Sequence, residues 1–448
     1  MNTTEMNTTE MNTSAIVKSG RESGTLHEFD LIVAGGGPAG CGAALAAARR
    51  GLSVLLIEES GSLGGAATKC LVTPFMPWMT KISESGEEKT LELSAGIFAE
   101  LNAAIREDAI YGEEAQPRAI NEESLKVILD RKMDEAGVKV LFHATLCGVA
   151  KEGRRIAAVS VATVAGVLEF SAATFVDATG DAALSAMAGV AFRLGRPKDL
   201  LCQPMTLCFR MCNVDTEAAW RAHDEINALY KRFREEGQIL NPRENVLKFP
   251  SRIPGVMHFN TTRIVKLDPT DPFALSKAEA LAREQVVELV HFLKENFAAF
   301  RNASLMMTAA AIGVRESRMI EARHILTADE LMAGTHFEDG IAAANYDIDI
   351  HSPDGSGTSH WYFPPGLYYT IPYRSLLPRE FDNLIVAGRC IGATHEAQAS
   401  VRIMPTCICM GEAAGTAAAL ARDCRVAAAD VDAGELRARL RAAGAFVG

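Results

Sequence analysis

The sequence of 448 residues lacks the features that would place the protein in a membrane or on a nucleic acid. No apolar run reaches the ~18 residues that a membrane span needs, and the longest candidate, residues 403–421, contains Pro405 and Glu412. There is also no basic excess, since the formal net charge is −11. We therefore expect no membrane span, and no nucleic acid or anionic membrane as a partner.

Cysteine motifs and the residue pattern of a signal peptide are also not seen. The ten cysteines include no Cys-x-x-Cys pair, so no redox dithiol of that type, iron–sulfur cluster or zinc knuckle is indicated. We expect most thiols to be free and buried, and we expect no metal site. The N-terminal segment has neither the basic nor the apolar region of a signal peptide. Residues 1–27 are therefore expected to form a disordered tail, and the expected location is the cytoplasm.

What is present begins with a glycine motif after a short apolar strand. Gly35, Gly37 and Gly40 have the spacing Gly-x-Gly-x-x-Gly, and an alanine-rich helix follows. In this pattern the first glycine allows a tight turn, the second lets a pyrophosphate approach, and the third lets helix and strand pack closely. The helix N-terminus then faces the phosphates, and Glu58, after the next strand, can bind the ribose hydroxyls. The motif predicts a dinucleotide site; the alternative is a glycine-rich turn in another α/β unit.

Small residues recur at later points where a ligand can approach the backbone closely. They follow apolar strands or form a loop, and they include Gly64, Gly65 and Thr68, then Ala178, Thr179 and Gly180, and finally Gly388. Ligands of parallel sheets bind at this carboxyl edge of the strands. No second Gly-x-Gly-x-x-Gly occurs, so a separate nicotinamide-binding domain is not indicated.

Periodicity predicts further elements. We expect an acidic helical stretch at about 82–108, a helix after the N-cap Asn121, and a long helix at 276–300. Residues 138–142, 149–151 and 156–162 alternate like hairpin strands. A buried strand at 381–389 is expected to lead into a helix with Pro405 in its first turn.

Taken together, these segments resemble the FAD-dependent oxidoreductases of the two-dinucleotide-binding-motif group, over about residues 28–421. More distantly, they are similar to fumarate reductase and succinate dehydrogenase flavoproteins and to thiazole-forming enzymes. Besides the motifs above, the resemblance rests on the blocks 313–318, 349–351, 371–374 and 402–411. It implies an α/β fold in which a Rossmann-like FAD-binding domain (28–195 and 346–448) carries a β-meander insertion. A second, α+β domain at 196–345 would cover the substrate.

The resemblance also implies FAD contacts, with the last helix pointing its N-terminus at the flavin. Succinate dehydrogenases attach FAD through a histidine after the Gly-Gly loop; residues 64–68 contain none, so non-covalent FAD is expected. The implied contacts are Gly35, Gly37, Pro38, Ala39, Gly40, Glu58, Glu59, Gly64, Gly65, Thr68, Ala178, Thr179, Gly180, Gly388, Arg389, Met404 and Thr406.

Four residues are candidates for the chemistry. His395 matches the layout of a substrate-contacting histidine in fumarate reductases and is interpreted as a general acid or base; the alternative is a loop histidine bonded to backbone. Arg402 is a candidate to clamp a carboxylate or to stabilise the reduced flavin anion; the alternatives are a phosphate contact and a structural ion pair. Arg315 is expected to share one helix face with Arg318. It is a candidate to bind an anionic substrate, and the alternative is a place in a buried Arg–Glu network. His351 is a second proton-transfer candidate, with a metal site as its alternative.

The function expected from this resemblance is hydride transfer between flavin N5 and a small anionic or carbonyl-bearing organic substrate. Two alternatives stay open. One is an isomerase or dehydratase that uses FAD without net redox turnover. The other is a non-catalytic binding protein on the same fold, similar to Rab escort-type proteins. The residues leave open the substrate, the reaction direction, the electron partner and whether the chain forms a homo-oligomer.

Overall fold

The computed structural model describes residues 27–84, 86–107, 120–251, 253–355 and 357–448. The tail expected at 1–27 lies outside this part of the chain, apart from His27, which begins the first strand. The strands are β1 (His27–Ala34), β2 (Val54–Ile57), β3 (Met79–Glu84), β4 (Glu87–Glu92), β5 (Lys139–Leu141), β6 (Thr145–Glu152), β7 (Arg155–Thr163), β8 (Gly166–Asp177), β9 (Phe192–Leu194), β10 (Phe209–Cys212), β11 (Lys248–Pro250), β12 (Met257–Phe259), β13 (Ser304–Thr308), β14 (Arg318–Ile320), β15 (Gly340–Ala344), β16 (Ile348–His351), β17 (Thr358–Trp361), β18 (Tyr369–Pro372) and β19 (Leu384–Val386).

The helices alternate with these strands along the chain. They are α1 (Pro38–Ala48), α2 (Ile97–Glu107), α3 (Glu122–Glu135), α4 (Ala183–Ala188), α5 (Thr216–Arg221), α6 (His223–Glu235), α7 (Pro272–Asn296), α8 (Ala328–Met332), α9 (His395–Val401), α10 (Met404–Cys424) and α11 (Ala433–Ala442).

The main sheet has a parallel part and an antiparallel extension. Within the described residues, β5, β2, β1, β8 and β19 lie side by side in that order, and all of these pairs are parallel. The first half of β8 pairs antiparallel with β7, and β7 with β6. The buried run Leu31–Ala34 is typical of a strand covered on both faces. This is the predicted Rossmann-like α/β fold with its β-meander.

Helices α1 and α10 pack in backbone-to-backbone contact on this sheet. A Cβ on Gly411 would lie 1.9 Å from the Ala39 carbonyl oxygen, and one on Gly415 would lie 2.1 Å from that of Ala43. No larger side chain fits at these two positions. Since 39 faces 411 and 43 faces 415, the helices run in the same direction. Their N-termini therefore lie at the same end, where β1 delivers the glycine turn.

A second hydrophobic core lies between residues 205 and 312. The antiparallel sheet β11–β12–β10–β13 packs against α6 and α7. Phe209 and Phe259 stack within it, with ring centroids 4.7 Å apart. Helix α7 begins earlier than predicted because Asp271 caps it by accepting a hydrogen bond from the Ala274 N–H. The boundaries of a separate domain at 196 and 345 stay a prediction.

Two expectations from periodicity are wrong. The acidic stretch at 82–108 is a helix only from Ile97, because β3 and β4 form an antiparallel hairpin. Gly86 in this hairpin has φ +85°, a conformation that ends a helix. Residues 139–141 form a parallel edge strand of the main sheet rather than part of a hairpin. The predicted cap Asn121 is confirmed: its side chain accepts from the N–H groups of residues 123 and 124.

A buried ion pair joins the two cores. Arg210 on β10 donates from Nη1 and Nη2 to the two carboxylate oxygens of Glu122, each over 2.5 Å. Both side chains are at most 7% exposed. Glu122 also lies in the first turn of α3, where a carboxylate is favoured by the helix dipole. The pair therefore fixes the second core relative to the first.

We expect Arg210→Met to lower the free energy of unfolding by about 3–5 kcal/mol, because it leaves the Glu122 carboxylate buried without its partner. Chemical denaturation of the holoprotein measures this loss. The double variant Arg210→Met/Glu122→Gln should recover part of it, since no unpaired charge remains. A single variant as stable as the wild-type protein would contradict this account of the contact.

Candidate active site

Of the three glycines in the motif, one borders open space and the other two contact neighbouring backbone. A Cβ on Gly35, which has φ +94°, would lie 2.6 Å from the Ala178 carbonyl oxygen, and one on Gly40 would lie 1.8 Å from that of Gly35. A Cβ on Gly37 would meet no described atom within 4 Å. Two glycines thus serve backbone packing, whereas Gly37 faces a space that a ligand can enter.

Glu58 is held rigidly beside this turn. Its Oε2 accepts a hydrogen bond from the Gly36 N–H over 2.7 Å, and Oε1 accepts from the N–H and hydroxyl of Ser60. An ionised carboxylate has about four acceptor positions, so Oε2 keeps capacity for another donor. The neighbouring Glu59 is exposed and forms an ion pair with Lys69 instead.

The Gly64–Gly65 loop packs directly on the glycine turn. Gly64 and Gly65 have φ values of +98° and +46°, and a Cβ on Gly65 would lie 2.9 Å from the Gly37 Cα. The Thr68 hydroxyl donates to the Leu63 carbonyl oxygen over 2.6 Å. Thr68 therefore stabilises the loop itself, and the loop backbone borders the open space at Gly37.

Arg389 and Gly180 meet at the carboxyl edge of the sheet. Residues 178–180 follow β8, and residues 388–389 follow β19. A Cβ on Gly180 would lie 2.8 Å from the Arg389 Cζ, and Arg389 Nη2 donates to Asp181 Oδ1 over 2.6 Å. Among the described residues the buried Arg389 Nε has no hydrogen-bond partner. An unpaired buried donor is costly, so this N–H is suited to a ligand.

The first turn of α10 lies at the same edge. Met404 and Thr406 are buried in it, and Pro405 occupies the favoured N-terminal position. Within the described part of the chain no side chain caps this helix end. Its free N–H groups and positive dipole end therefore suit a negatively charged ligand group.

Four arginines from separate parts of the chain form a cluster next to α9 and β16. Arg315 and Arg402 were predicted, whereas Arg243 and Arg263 come from the second core. The ion pairs in the cluster are Arg263 with Glu244 at 3.0 Å and Arg402 with Asp349 at 3.5 Å. Desolvation and repulsion from the other arginines lower the pKa of Arg315 to about 9. The guanidinium groups outnumber their paired carboxylates, so the cluster attracts anions.

His351 is engaged on both sides of its ring. Arg263 Nη2 lies 3.0 Å from Nδ1, and Asp349 Oδ2 lies 3.3 Å from Nε2. Since a guanidinium only donates, Nδ1 accepts and Nε2 carries the proton. Burial and the charge of Arg315 hold the pKa of His351 well below its ordinary value. The neutral imidazole thus orients Asp349, and neither nitrogen is left for a substrate.

His395 begins α9 and is paired with a buried carboxylate. Its Nδ1 lies 2.7 Å from Glu316 Oε1, and both side chains are at most 4% exposed. Glu316 Oε2 accepts a hydrogen bond from the Gln203 main-chain N–H over 2.8 Å. His395 also lines a pocket of about 290 Å³, together with Arg196, Ile350, Ser352, Pro353, Gly357, Thr358 and Ser359.

Side-chain amides connect these parts. The Gln398 Nε2 donates to the Arg315 carbonyl oxygen over 2.8 Å, and the Gln398 Oε1 accepts from Gln203 Nε2 over 3.1 Å. Gln203 Oε1 in turn accepts a hydrogen bond from the main-chain N–H of His351 over 3.3 Å. The arginine cluster and the His395–Glu316 pair are therefore linked through buried hydrogen bonds.

The expected helix carrying Arg315 and Arg318 is absent from the described segment 313–318. Gly313 and Thr206 instead exchange two backbone hydrogen bonds, as strands do, and this pairing holds the segment extended. Arg318 begins β14 and donates to the Asp181 carbonyl oxygen over 3.1 Å. Glu316 pairs with His395, not with an arginine.

Sequence reasoning missed Arg243, Arg263, Gln203 and the role of Glu316. Glu316 lies in the block 313–318, on which the family resemblance rests. A carboxylate in that block was therefore a signal from which its place in the site could have been predicted. Arg243 and Arg263 come from the segment of the second core and Gln203 directly precedes it, and none of the three has a recognisable sequence pattern around it.

Comparison with known proteins gives the family. The family model described as FAD dependent oxidoreductase matches residues 30–440. The chain belongs to this FAD-dependent oxidoreductase family, its fold is the Rossmann-like FAD-binding fold, and its cofactor is FAD. No curated protein matches the chain.

Solved structures of several flavoproteins are similar to the chain at low sequence identity. A geranylgeranyl bacteriochlorophyll reductase-like protein from Thermoplasma acidophilum is 13% identical, with a TM-score of 0.46 over 94% of this chain and 85% of that one. The flavin-dependent brominase Bmp2 is 14% identical, with a TM-score of 0.44 over 93% and 83%. A flavoprotein/dehydrogenase from Cytophaga hutchinsonii is 12% identical, with a TM-score of 0.44 over 92% and 82%. Likenesses at this level do not identify a substrate.

No single helix of the described residues is long and apolar enough to cross a membrane. Among the helices that the structure describes, α9 and α10 taken together reach the required length and composition, and the two are bent by 91° relative to each other. Nearly all of their residues are buried within the protein.

The glycine motif predicts that the FAD pyrophosphate lies in the space at Gly37, and a pair of variants tests this prediction. We expect Gly37→Ala to abolish or strongly weaken FAD binding while stability of the apoprotein stays within about 0.5 kcal/mol, because the new methyl group meets no protein atom. FAD titration and thermal unfolding of the apoprotein measure the two effects. Gly40→Ala, whose Cβ collides with backbone, should instead destabilise the apoprotein. Unchanged FAD affinity in Gly37→Ala would contradict the assignment.

Proposed function

We propose that this FAD-dependent oxidoreductase transfers a hydride between flavin N5 and a small organic anion, with a carboxylate as the best-fitting group. The observation that carries this proposal is the cluster of the buried Arg243 and Arg263 with the partly buried Arg315 and Arg402, whose positive charge exceeds the negative charge of the paired carboxylates Glu244 and Asp349. An uncompensated buried charge is costly. A bound anion would remove this cost, so the site favours anionic over neutral ligands.

Non-covalent FAD would be held by the glycine turn and the elements around it. Gly37 and the Gly64–Gly65 backbone border the space suited to its pyrophosphate, and Glu58 Oε2 has capacity for a ribose hydroxyl. The N-terminus of α10 and the unpaired Nε of Arg389 offer donors to the negative charge of a reduced flavin. Bound FAD supplies the hydride acceptor or donor.

Arg402 and Arg243 are the proposed anion clamp. The buried Arg402 Nε and Arg243 Nη1 have no hydrogen-bond partner among the described residues. A hydrogen bond from a charged donor to a carboxylate contributes about 1.5–3 kcal/mol. Arg315 is already engaged by the Pro204 carbonyl oxygen and the Thr206 hydroxyl, so it adds charge and orients the neighbouring segment.

His395 is the proposed proton-transfer group. It lines the pocket next to the cluster, whereas Glu316 holds its Nδ1 from the protein side. An imidazole exchanges protons near neutral pH in many enzymes. His351 is assigned the positioning of Asp349 instead, since both of its nitrogens are engaged.

Malonate, a three-carbon dicarboxylate, tests the anion site. We expect it to raise the melting temperature of the holoprotein in a saturable way, because a ligand that binds only the folded state stabilises it. Arg402→Gln should weaken malonate binding about 10- to 100-fold, given the energy of the lost charged hydrogen bond. The matched control is Arg221→Gln, since Arg221 is 71% exposed and lies on α5; it should leave malonate affinity unchanged.

Neutral malonamide should give no comparable stabilisation. If malonamide and malonate act alike, or if Arg402→Gln binds malonate as the wild-type protein does, the proposed anion site is wrong.

The redox step is tested by anaerobic loss of flavin absorbance on addition of small carboxylic acids. Turnover of a carboxylate without any change in flavin absorbance, even on rapid mixing, would favour the redox-neutral alternative.

A further inference from the structure

The contacts of Glu316 determine which nitrogen of His395 carries the proton. The carboxylate is fully buried, and its two oxygens have different partners: Oε2 accepts from the Gln203 main-chain N–H, and Oε1 lies 2.7 Å from His395 Nδ1. An ionised carboxylate only accepts hydrogen bonds. The hydrogen between Nδ1 and Oε1 therefore belongs to the imidazole, and a neutral His395 is the Nδ1–H tautomer.

The other nitrogen is left with a lone pair on the pocket side. Glu316, which holds Nδ1, does not line the pocket, whereas His395 does. Within the described part of the chain Nε2 has no hydrogen-bonding side chain or backbone group. A group placed in this way is suited to accept a proton from a bound molecule.

We propose that Glu316 is the positioning residue of the active site: it fixes His395 as the Nδ1–H tautomer, so that Nε2 acts as the base toward the substrate. This inference rests on the proposed function. In the step, an O–H, N–H or C–H bond of the substrate breaks, its electron pair stays on the substrate, and a new N–H bond forms at Nε2. The Glu316 carboxylate, which accepts the hydrogen bond from Nδ1–H, balances the charge of the resulting imidazolium.

The same geometry predicts what a neutral amide at position 316 would do. The Gln203 main-chain N–H can only donate, so it would select the carbonyl oxygen of the amide in Glu316→Gln. The amide NH₂ would then face His395 Nδ1, which must become the acceptor. The imidazole proton would move to Nε2, and the nitrogen facing the pocket would change from acceptor to donor. A change of tautomer of this kind, in a serine protease triad, costs about 10⁴ in kcat.

The test is ¹⁵N NMR of the holoprotein with ¹⁵N-labelled histidines, in mildly alkaline buffer where an ordinary imidazole is neutral. The His395 signals are assigned by their loss in His395→Gln. We expect the Nδ1–H tautomer in the wild-type protein, the Nε2–H tautomer in Glu316→Gln, and the Nδ1–H tautomer again in Glu316→Asp, which keeps an acceptor. The matched control is Glu295→Gln, which alters the exposed pair His291–Glu295 on α7 and should leave His395 unchanged.

An Nε2–H tautomer in the wild-type protein would overturn the proposal, and so would an unchanged tautomer in Glu316→Gln. With any carboxylate that bleaches the flavin, Glu316→Gln should lower the rate of bleaching by about 10²-fold or more, and Glu316→Asp should recover part of it. An inverted tautomer with an unchanged rate would also overturn it. Malonate binding is the separate control: its failure in the wild-type protein contradicts the anion site and leaves the tautomer result standing.

Discussion

The contact between α1 and α10 is the constraint on which the site depends. These helices come from opposite ends of the chain, and the carbonyl groups of Ala39 and Ala43 occupy the positions where Gly411 and Gly415 have no side chain. Their parallel direction places two helix N-termini at the carboxyl edge of one sheet. One N-terminus follows the dinucleotide turn, and the other follows Arg402. The glycine turn and the segment that carries Arg402 are thereby fixed relative to each other by backbone packing.

The charge distribution around this frame is uneven. Near the glycine turn the carboxylates have partners. Glu58 accepts hydrogen bonds from main-chain N–H groups and a hydroxyl, and Asp181 forms an ion pair with Arg389. On the side of the second core, guanidinium groups accumulate without equal compensation. Burial makes this imbalance costly in the free protein, and a bound anion relieves the cost. The same low-polarity surroundings that disfavour the cluster would strengthen its hold on a ligand.

The two histidines near the cluster show how partners decide chemical role. Both are buried and both lie within hydrogen-bond distance of a carboxylate. His351 has a guanidinium on its second nitrogen, so its ring is fully engaged and stays neutral. His395 has a pocket there instead. Residue type and exposure are alike in the two cases, and the different roles proposed for the two histidines rest only on the second neighbour.

The sequence alone determined the dinucleotide turn, because the spacing of Gly35, Gly37 and Gly40 encodes its geometry within a few residues. The cap at Asn121 was predictable for the same reason. The family and the cofactor followed from the resemblance of several such blocks to FAD-dependent oxidoreductases. The tertiary structure decided the arginine cluster and the pairing of His395 with Glu316, which are 79 residues apart. It also overturned the helix expected at 315–318, since pairing of Gly313 with Thr206 outweighs local propensity. Contacts between distant segments depend on how whole elements pack, and no short pattern records that packing.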